Sequence, residues 1–173
     1  MNAIFLIGYM GSGKSTTGKI LANQLGCSFI DLDSFIEEIE QKSIPDIFSL
    51  FGEETFRLIE HNALKKLIKQ NGNAVIACGG GTPCFHDNIS LMNNAGLTIY
   101  IKLSPETLQN RLLVAKEKRP LIENKSSDAL LIFIKEQLAG RSAFYAMAET
   151  TIDAENMNAT EVAQLINKKI ERG

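Results

Sequence analysis

Gly8-Tyr9-Met10-Gly11-Ser12-Gly13-Lys14-Ser15 spells GxxxxGK followed by Ser, directly after the apolar run Ala3-Ile4-Phe5-Leu6-Ile7. That run reads as a strand buried on both faces, since it has no polar alternation. Helical period follows from Lys14 to Leu25, with Ile20, Leu21 and Leu25 on one face and Gly26 as the stop. Strand, glycine turn and helix in this order are the context in which the motif cradles phosphates. Glycines let backbone N–H groups turn inward, and the helix N-terminus adds positive potential. Gly11, Ser12 and Gly13 form the turn, Lys14 meets phosphate charge, and Ser15 offers a hydroxyl to Mg²⁺, with Thr16 beside it in the same helical turn.

Outward from this cradle, short apolar runs alternate with longer helical stretches, the pattern of an α/β fold with a parallel sheet. Ser28-Phe29-Ile30-Asp31-Leu32, Ala74-Val75-Ile76-Ala77-Cys78, Leu97-Thr98-Ile99-Tyr100-Ile101 and Thr150-Thr151-Ile152 read as further strands. Residues 33–71 carry no strand signal but several helical pieces, interrupted at Ile44-Pro45 and Gly52, and form a candidate substrate-binding insert. Its apolar residues Ile36, Ile39, Ile47, Phe48, Phe51 and Phe56 read as its core. Pro105 suits the first turn of a helix through Leu112. Residues 114–125, polar and charged with Pro120 inside, read as a lid loop. A long helix from Ser126 to Met147 and an amphipathic helix from Thr160 to Ile170 complete a single domain, 1–173.

Composition narrows the class. The 173 residues are 45% hydrophobic and 22% charged, with a net charge of -2 and a pI near 5.7. A chain without excess Lys and Arg is not expected to bind nucleic acid. No apolar run nears the ~20 residues a membrane span requires. Cys27, Cys78 and Cys84 lack CxxC spacing, so neither a disulfide framework nor a zinc site is expected. His61 and His86 lack carboxylate or cysteine neighbours at ligand spacing and read as surface or capping residues. A cytoplasmic monomer is expected. The chain contains no DxxG, and Asn124-Lys125-Ser126-Ser127-Asp128 has one residue too many for NKxD, so it reads as a polar helix start.

Asp31 and Asp33 follow the second strand. If the backbone stays extended there, the intervening Leu32 puts both carboxylates on one side, at the strand end where open α/β sheets bind ligands. One carboxylate can serve Mg²⁺ through water and the other can accept a hydrogen bond from an attacking hydroxyl. The alternative for Asp33 is a helix N-cap.

These residues, with Phe56-Arg57-Leu58-Ile59-Glu60, Gly79-Gly80-Gly81, Arg119-Pro120-Leu121 and Arg141-Ser142-Ala143-Phe144-Tyr145, occur in the order and spacing of shikimate kinases. The chain resembles that family over nearly its whole length, and six motifs in register separate it from gluconate and nucleoside monophosphate kinases. The resemblance implies a three-layer P-loop kinase fold with sheet order 2-3-1-4-5. It also implies ATP-dependent phosphorylation of the shikimate 3-hydroxyl, a step of aromatic amino-acid biosynthesis, with ATP and shikimate as partners and Mg²⁺ as cofactor.

By the same resemblance, Arg57 and Arg141 hold the substrate carboxylate, Asp33 bonds the hydroxyls, and Gly79, Gly80 and Gly81 lie against the ring. Arg119 reaches over the ATP phosphates when the lid closes, Arg111 stacks on adenine, and Asp31 serves the metal through water. The catalytic set is Lys14, Asp33 and Arg119. Guanidinium forks suit carboxylates, although helical spacing equally offers Arg57 an ion pair with Glu53, Glu54 or Glu60. Cys78 stands where the family often carries Ser or Thr, and reads as a small buried hydrophobe. Asp153-Ala154-Glu155-Asn156 has no basic residue to touch adenine. The alternatives are a gluconate kinase or other small-metabolite kinase, and an ATP-binding regulatory module without transfer.

Overall fold

Ala3–Ile7 forms β1, and every residue in it is buried, as its unbroken apolar run requires. In the computed structural model, which describes residues 2–70, 72–115 and 125–171, β1 pairs in parallel with β3 (Ala74–Ala77) and β4 (Gly96–Lys102). β2 (Ser28–Asp31) lies outside β3, and β5 (Thr150–Asp153) outside β4, giving the parallel order β2-β3-β1-β4-β5. The connection from β1 runs toward the β2 edge and that from its neighbour β4 toward the β5 edge, so the crevice where such sheets bind ligands lies at the C-terminal ends of these two strands.

Helices cover both faces. Ile4 and Leu6 of β1 pack with Leu21 of α1 (Lys14–Leu25), Leu108 of α5 (Pro105–Val114), Ile134 of α6 (Ser127–Tyr145) and Ile166 of α7 (Ala159–Ile170). Phe5 and Ile7 point the other way, onto Ile36 of α2 (Leu32–Glu40), Leu64 of α3 (Ile44–Gln70), Met92 of α4 (Asn88–Ala95) and Tyr145. This alternation along one strand is what makes the molecule three layers deep. No described helix is long and apolar enough to cross a membrane.

Local signals explain most boundaries. Gly26 ends α1 at φ 64, with its N–H on Ala22 O and Asn23 O. Ser104 caps α5 ahead of Pro105, and Ser126 caps α6, the polar start expected there. α2 and α3 part before Ile44, and α3 kinks at Gly52, where φ is 77 and ψ 173.

Three expectations are corrected, and two elements are new. β2 ends at Asp31, and helix α2 begins at Leu32, so the Asp31-Leu32-Asp33 backbone is not extended. The cap of α2 is Asp31, whose carboxylate accepts from the N–H groups of Asp33 and Ser34, so Asp33 is not the N-cap. Ile39 and Phe51 are not core: they are 37% and 49% exposed, while Ile36, Ile47 and Phe56 are buried. The 3₁₀ turn Thr82–Cys84 and helix α4 carried no recognised signal, because Asn88–Ala95 is short and half polar. Lid residues 116–124, with Arg119 among them, lie outside the described residues.

Candidate active site

The turn after β1 is built from three backbones in the left-handed region: Gly8 at φ 143, Gly11 at φ 80 and Gly13 at φ 91. A Cβ on Gly8 would also lie 2.7 Å from the carbonyl oxygen of Ile101 in β4. Both facts demand glycine. Ser12 N–H closes the turn on Tyr9 O at 3.2 Å, and α1 then opens at Lys14 with no side-chain cap on its first N–H groups. Those donors and the helix dipole make an anion site. The Lys14 ammonium donates to the carbonyls of Gly8 at 2.8 Å and Tyr9 at 2.9 Å, so it is drawn across the cradle. Ser15 and Thr16 are exposed on the first turn, and the Ser15 hydroxyl donates to Asp31 Oδ2 at 2.6 Å.

Arg111, in the last turn of α5, bridges the cradle and the turn after β5. Its Nη1 donates to Ser12 O at 3.4 Å and its Nη2 to Met157 O at 3.2 Å. Glu155 ties that turn to the start of α5, accepting from Ser104 N–H at 3.0 Å and from the hydroxyls of Ser104 and Thr107.

On the other flank, three consecutive glycines leave β3. None of them has positive φ, so the need for glycine here is close approach. A Cβ on Gly79 would lie 3.0 Å from Asp33 Oδ1, one on Gly80 3.4 Å from Arg141 Nη1, and one on Gly81 2.7 Å from both terminal nitrogens of Arg57. The Gly80 position is also 3.4 Å from the backbone nitrogen of Met10. Asp33, Arg141 and Arg57 are thus gathered, one per glycine, next to the phosphate cradle.

Arg57 makes two of the three helical ion pairs open to it, with Glu53 at 3.0 Å and Glu60 at 3.0 Å, and it stacks on Phe85 at 4.1 Å. Arg141 donates to Gln137 at 2.7 Å and lies 5.6 Å from the Tyr9 ring centroid. Burial pushes the Asp33 carboxyl up to about 6; the charges of Asp31, Glu60 and Glu37 add to this, and Lys14 opposes it.

Three side chains that brace these residues were not assigned to the site from the sequence. Glu60 is only 1% exposed, accepts from Thr82 at 2.6 Å, and holds Arg57 from below. Thr82 is therefore the second, and Tyr145, whose hydroxyl donates to Gly80 O at 2.6 Å, is the third. The spacing of Glu60 three residues after Arg57 pointed to the pair, but not to its burial. Of the residues set aside, Cys78 is a buried thiol at the end of β3, and His61 Nδ1 meets Asn88 Oδ1 at 2.7 Å. Among the described residues no three His, Cys, Asp or Glu side chains form a metal cluster.

Residues 10–171 match the family model described as shikimate kinase. The shikimate kinase of Azobacteroides pseudotrichonymphae is 45% identical over 98% of this chain and 100% of its own. That of Parabacteroides distasonis is 46% identical over 91% of this chain and 90% of its own. The crystal structure of shikimate kinase from Bacteroides thetaiotaomicron superposes with a TM-score of 0.93 at 38% identity, covering 98% of both chains. Shikimate kinase from Acinetobacter baumannii, solved in complex with shikimate, superposes at 0.88 with 31% identity over 99% of this chain and 94% of that one. With this fold, this cradle and these matches along its length, the chain belongs to the shikimate kinase family.

Proposed function

We propose that the protein transfers the γ-phosphoryl group of MgATP to the 3-hydroxyl of shikimate. One observation carries the acceptor reading: Asp33, Arg141 and Arg57 each meet one of three successive glycines beside the phosphate loop. Two guanidinium groups suit a carboxylate, an aspartate suits ring hydroxyls, and side-chain-free backbone leaves room for a flat ring. Arg57 and Arg141 take the carboxylate, Asp33 the hydroxyls, and Gly79, Gly80 and Gly81 line the ring.

On the nucleotide side, Gly11, Ser12, Gly13, Lys14, Ser15 and Thr16 hold the phosphates, while Arg111 supports adenine. A hard cation fits the neighbouring oxygens, because Ser15 Oγ and Asp31 Oδ2 are 2.6 Å apart. Mg²⁺ keeps several waters and needs few protein ligands. Ser15 would hold Mg²⁺ directly and Asp31 through water, and the ion when bound supplies charge neutralisation at the phosphates.

In the transfer, a bond forms between the shikimate 3-oxygen and γ-phosphorus as the bond from γ-phosphorus to the β-bridging oxygen breaks. Asp33 orients the hydroxyl and accepts its proton, which a carboxyl titrating near 6 can do at neutral pH. Lys14 and Arg119 neutralise charge on the transferring group, the main demand of a loose transition state. The protein is read as a cytoplasmic monomer of one domain, 1–173, with 33–71 binding the acceptor and 114–125 serving as the lid that excludes water.

A coupled ADP-release assay offering shikimate, quinate, gluconate and nucleoside monophosphates in parallel tests this. Shikimate alone should drive rapid release. Faster release with gluconate would replace the acceptor, and release indifferent to every acceptor would leave an ATP-binding module.

A further inference from the structure

Tyr145 ends α6 one helical turn after Arg141, and its side chain is fully buried. The ring stacks on Tyr100, with centroids 4.9 Å apart, in the core beneath β1. That packing needs no hydroxyl, and a hydroxyl brought into an apolar cluster costs free energy unless it is bonded. Its partner is the Gly80 carbonyl, at 2.6 Å.

Gly80 is the middle glycine of the run, and its vacant Cβ position faces Arg141 Nη1 and the Met10 nitrogen, each at 3.4 Å. Because a trans peptide is planar, fixing the Gly80 carbonyl toward Tyr145 aims the Gly81 N–H the opposite way. One side chain therefore sets the peptide plane of the glycine run from the same helical turn that carries Arg141. Burial also raises the phenol above its ordinary titration range, with Arg141 opposing, so it remains a donor at working pH.

We infer that Tyr145 is a positioning residue for the acceptor, its hydroxyl holding the Gly80–Gly81 peptide in register with the Arg141 guanidinium. This rests on the reading of the glycine run and Arg141 as the acceptor subsite. The hydroxyl's bond is to Gly80 O, and the Gly80 position meets the phosphate loop only at van der Waals range, 3.4 Å from Met10 N and 3.6 Å from Gly8 O, so the effect falls on shikimate before ATP.

The test is Tyr145→Phe in the full chain, with Tyr100→Phe as the companion that trims the stacked ring without touching Gly80. ADP release is measured with shikimate varied at saturating MgATP, then with ATP varied, beside the thermal midpoint. Loss of one buried neutral hydrogen bond should raise the shikimate KM about five- to tenfold. The ATP KM should stay within about twofold, and Tyr100→Phe should change neither. A lowered midpoint with an unchanged shikimate KM would make the hydroxyl merely structural and overturn the inference, as would both KM values rising together.

If Tyr145→Phe does not fold, the unsubstituted chain labelled with 3-fluorotyrosine decides. A Tyr145 fluorine resonance that moves with shikimate and not with ADP supports the inference, and one indifferent to shikimate overturns it. Unsubstituted enzyme that ignores shikimate in the same assay would instead remove the acceptor reading beneath it.

Discussion

Asp33 is held at a cost. Its carboxyl titrates near 6 in the folded chain against 3.8 ordinarily, so the folded state binds the proton more tightly than the unfolded one. Stability from this group is complete below the ordinary value, declines as pH rises toward 6, and stays lower above it. Asp33→Asn should therefore stabilise the protein at pH 8, by on the order of 2 kcal/mol, while nearly abolishing turnover. Thermal unfolding at pH 8 and pH 5 checks this, since the advantage should narrow at pH 5, where Asp33 takes up its proton. The rate with unsubstituted enzyme should rise with pH through about 6. Gly81 offers a cleaner probe of the acceptor. Its φ of -91 accepts alanine, but the new Cβ would lie 2.7 Å from a guanidinium pinned by Glu60 and Phe85. Gly81→Ala should raise the shikimate KM at least about tenfold with ATP binding unchanged, as read by steady-state kinetics.

Elements whose signal is local were legible in the sequence. β1 announced itself as an apolar run, α1 through its glycine boundaries, and the two breaks in the insert through Pro45 and Gly52. What failed depended on partners distant in sequence. Glu60 looks like a surface glutamate until Thr82, 22 residues on, closes over it, and Tyr145 meets Gly80 across 65 residues. The Asp31-Leu32-Asp33 turn was misjudged because a carboxylate that ends a strand can also start a helix. That double role is separable. Asp31→Ala should lose the α2 cap, about 1 kcal/mol, and also raise the Mg²⁺ needed for half-maximal rate. Asp31→Asn keeps an acceptor oxygen for the Asp33 and Ser34 amides, so it should keep the stability and raise only the Mg²⁺ requirement. Denaturation curves and Mg²⁺ titrations of both variants distinguish the roles; a normal Mg²⁺ requirement in Asp31→Asn would remove the metal from this carboxylate.

Over the whole molecule, the sheet order brings two chemistries to one crevice. β1 delivers the phosphate cradle and its neighbour β3 delivers the glycine run, while α2, α3 and α6 supply Asp33, Arg57 and Arg141 from positions far apart in the chain. No single segment contains the proposed acceptor site, which is why the sequence points to it only through several motifs taken together. In the function proposed above, the two guanidinium groups grip a carboxylate. Calorimetric titration of the protein with shikimate and with its methyl ester, which keeps the ring and hydroxyls but lacks the charge, reads that grip itself. The ester should bind weaker by about 100-fold or more, the loss expected when two charge-assisted contacts go unmade; equal affinity for acid and ester would mean that no carboxylate is gripped there.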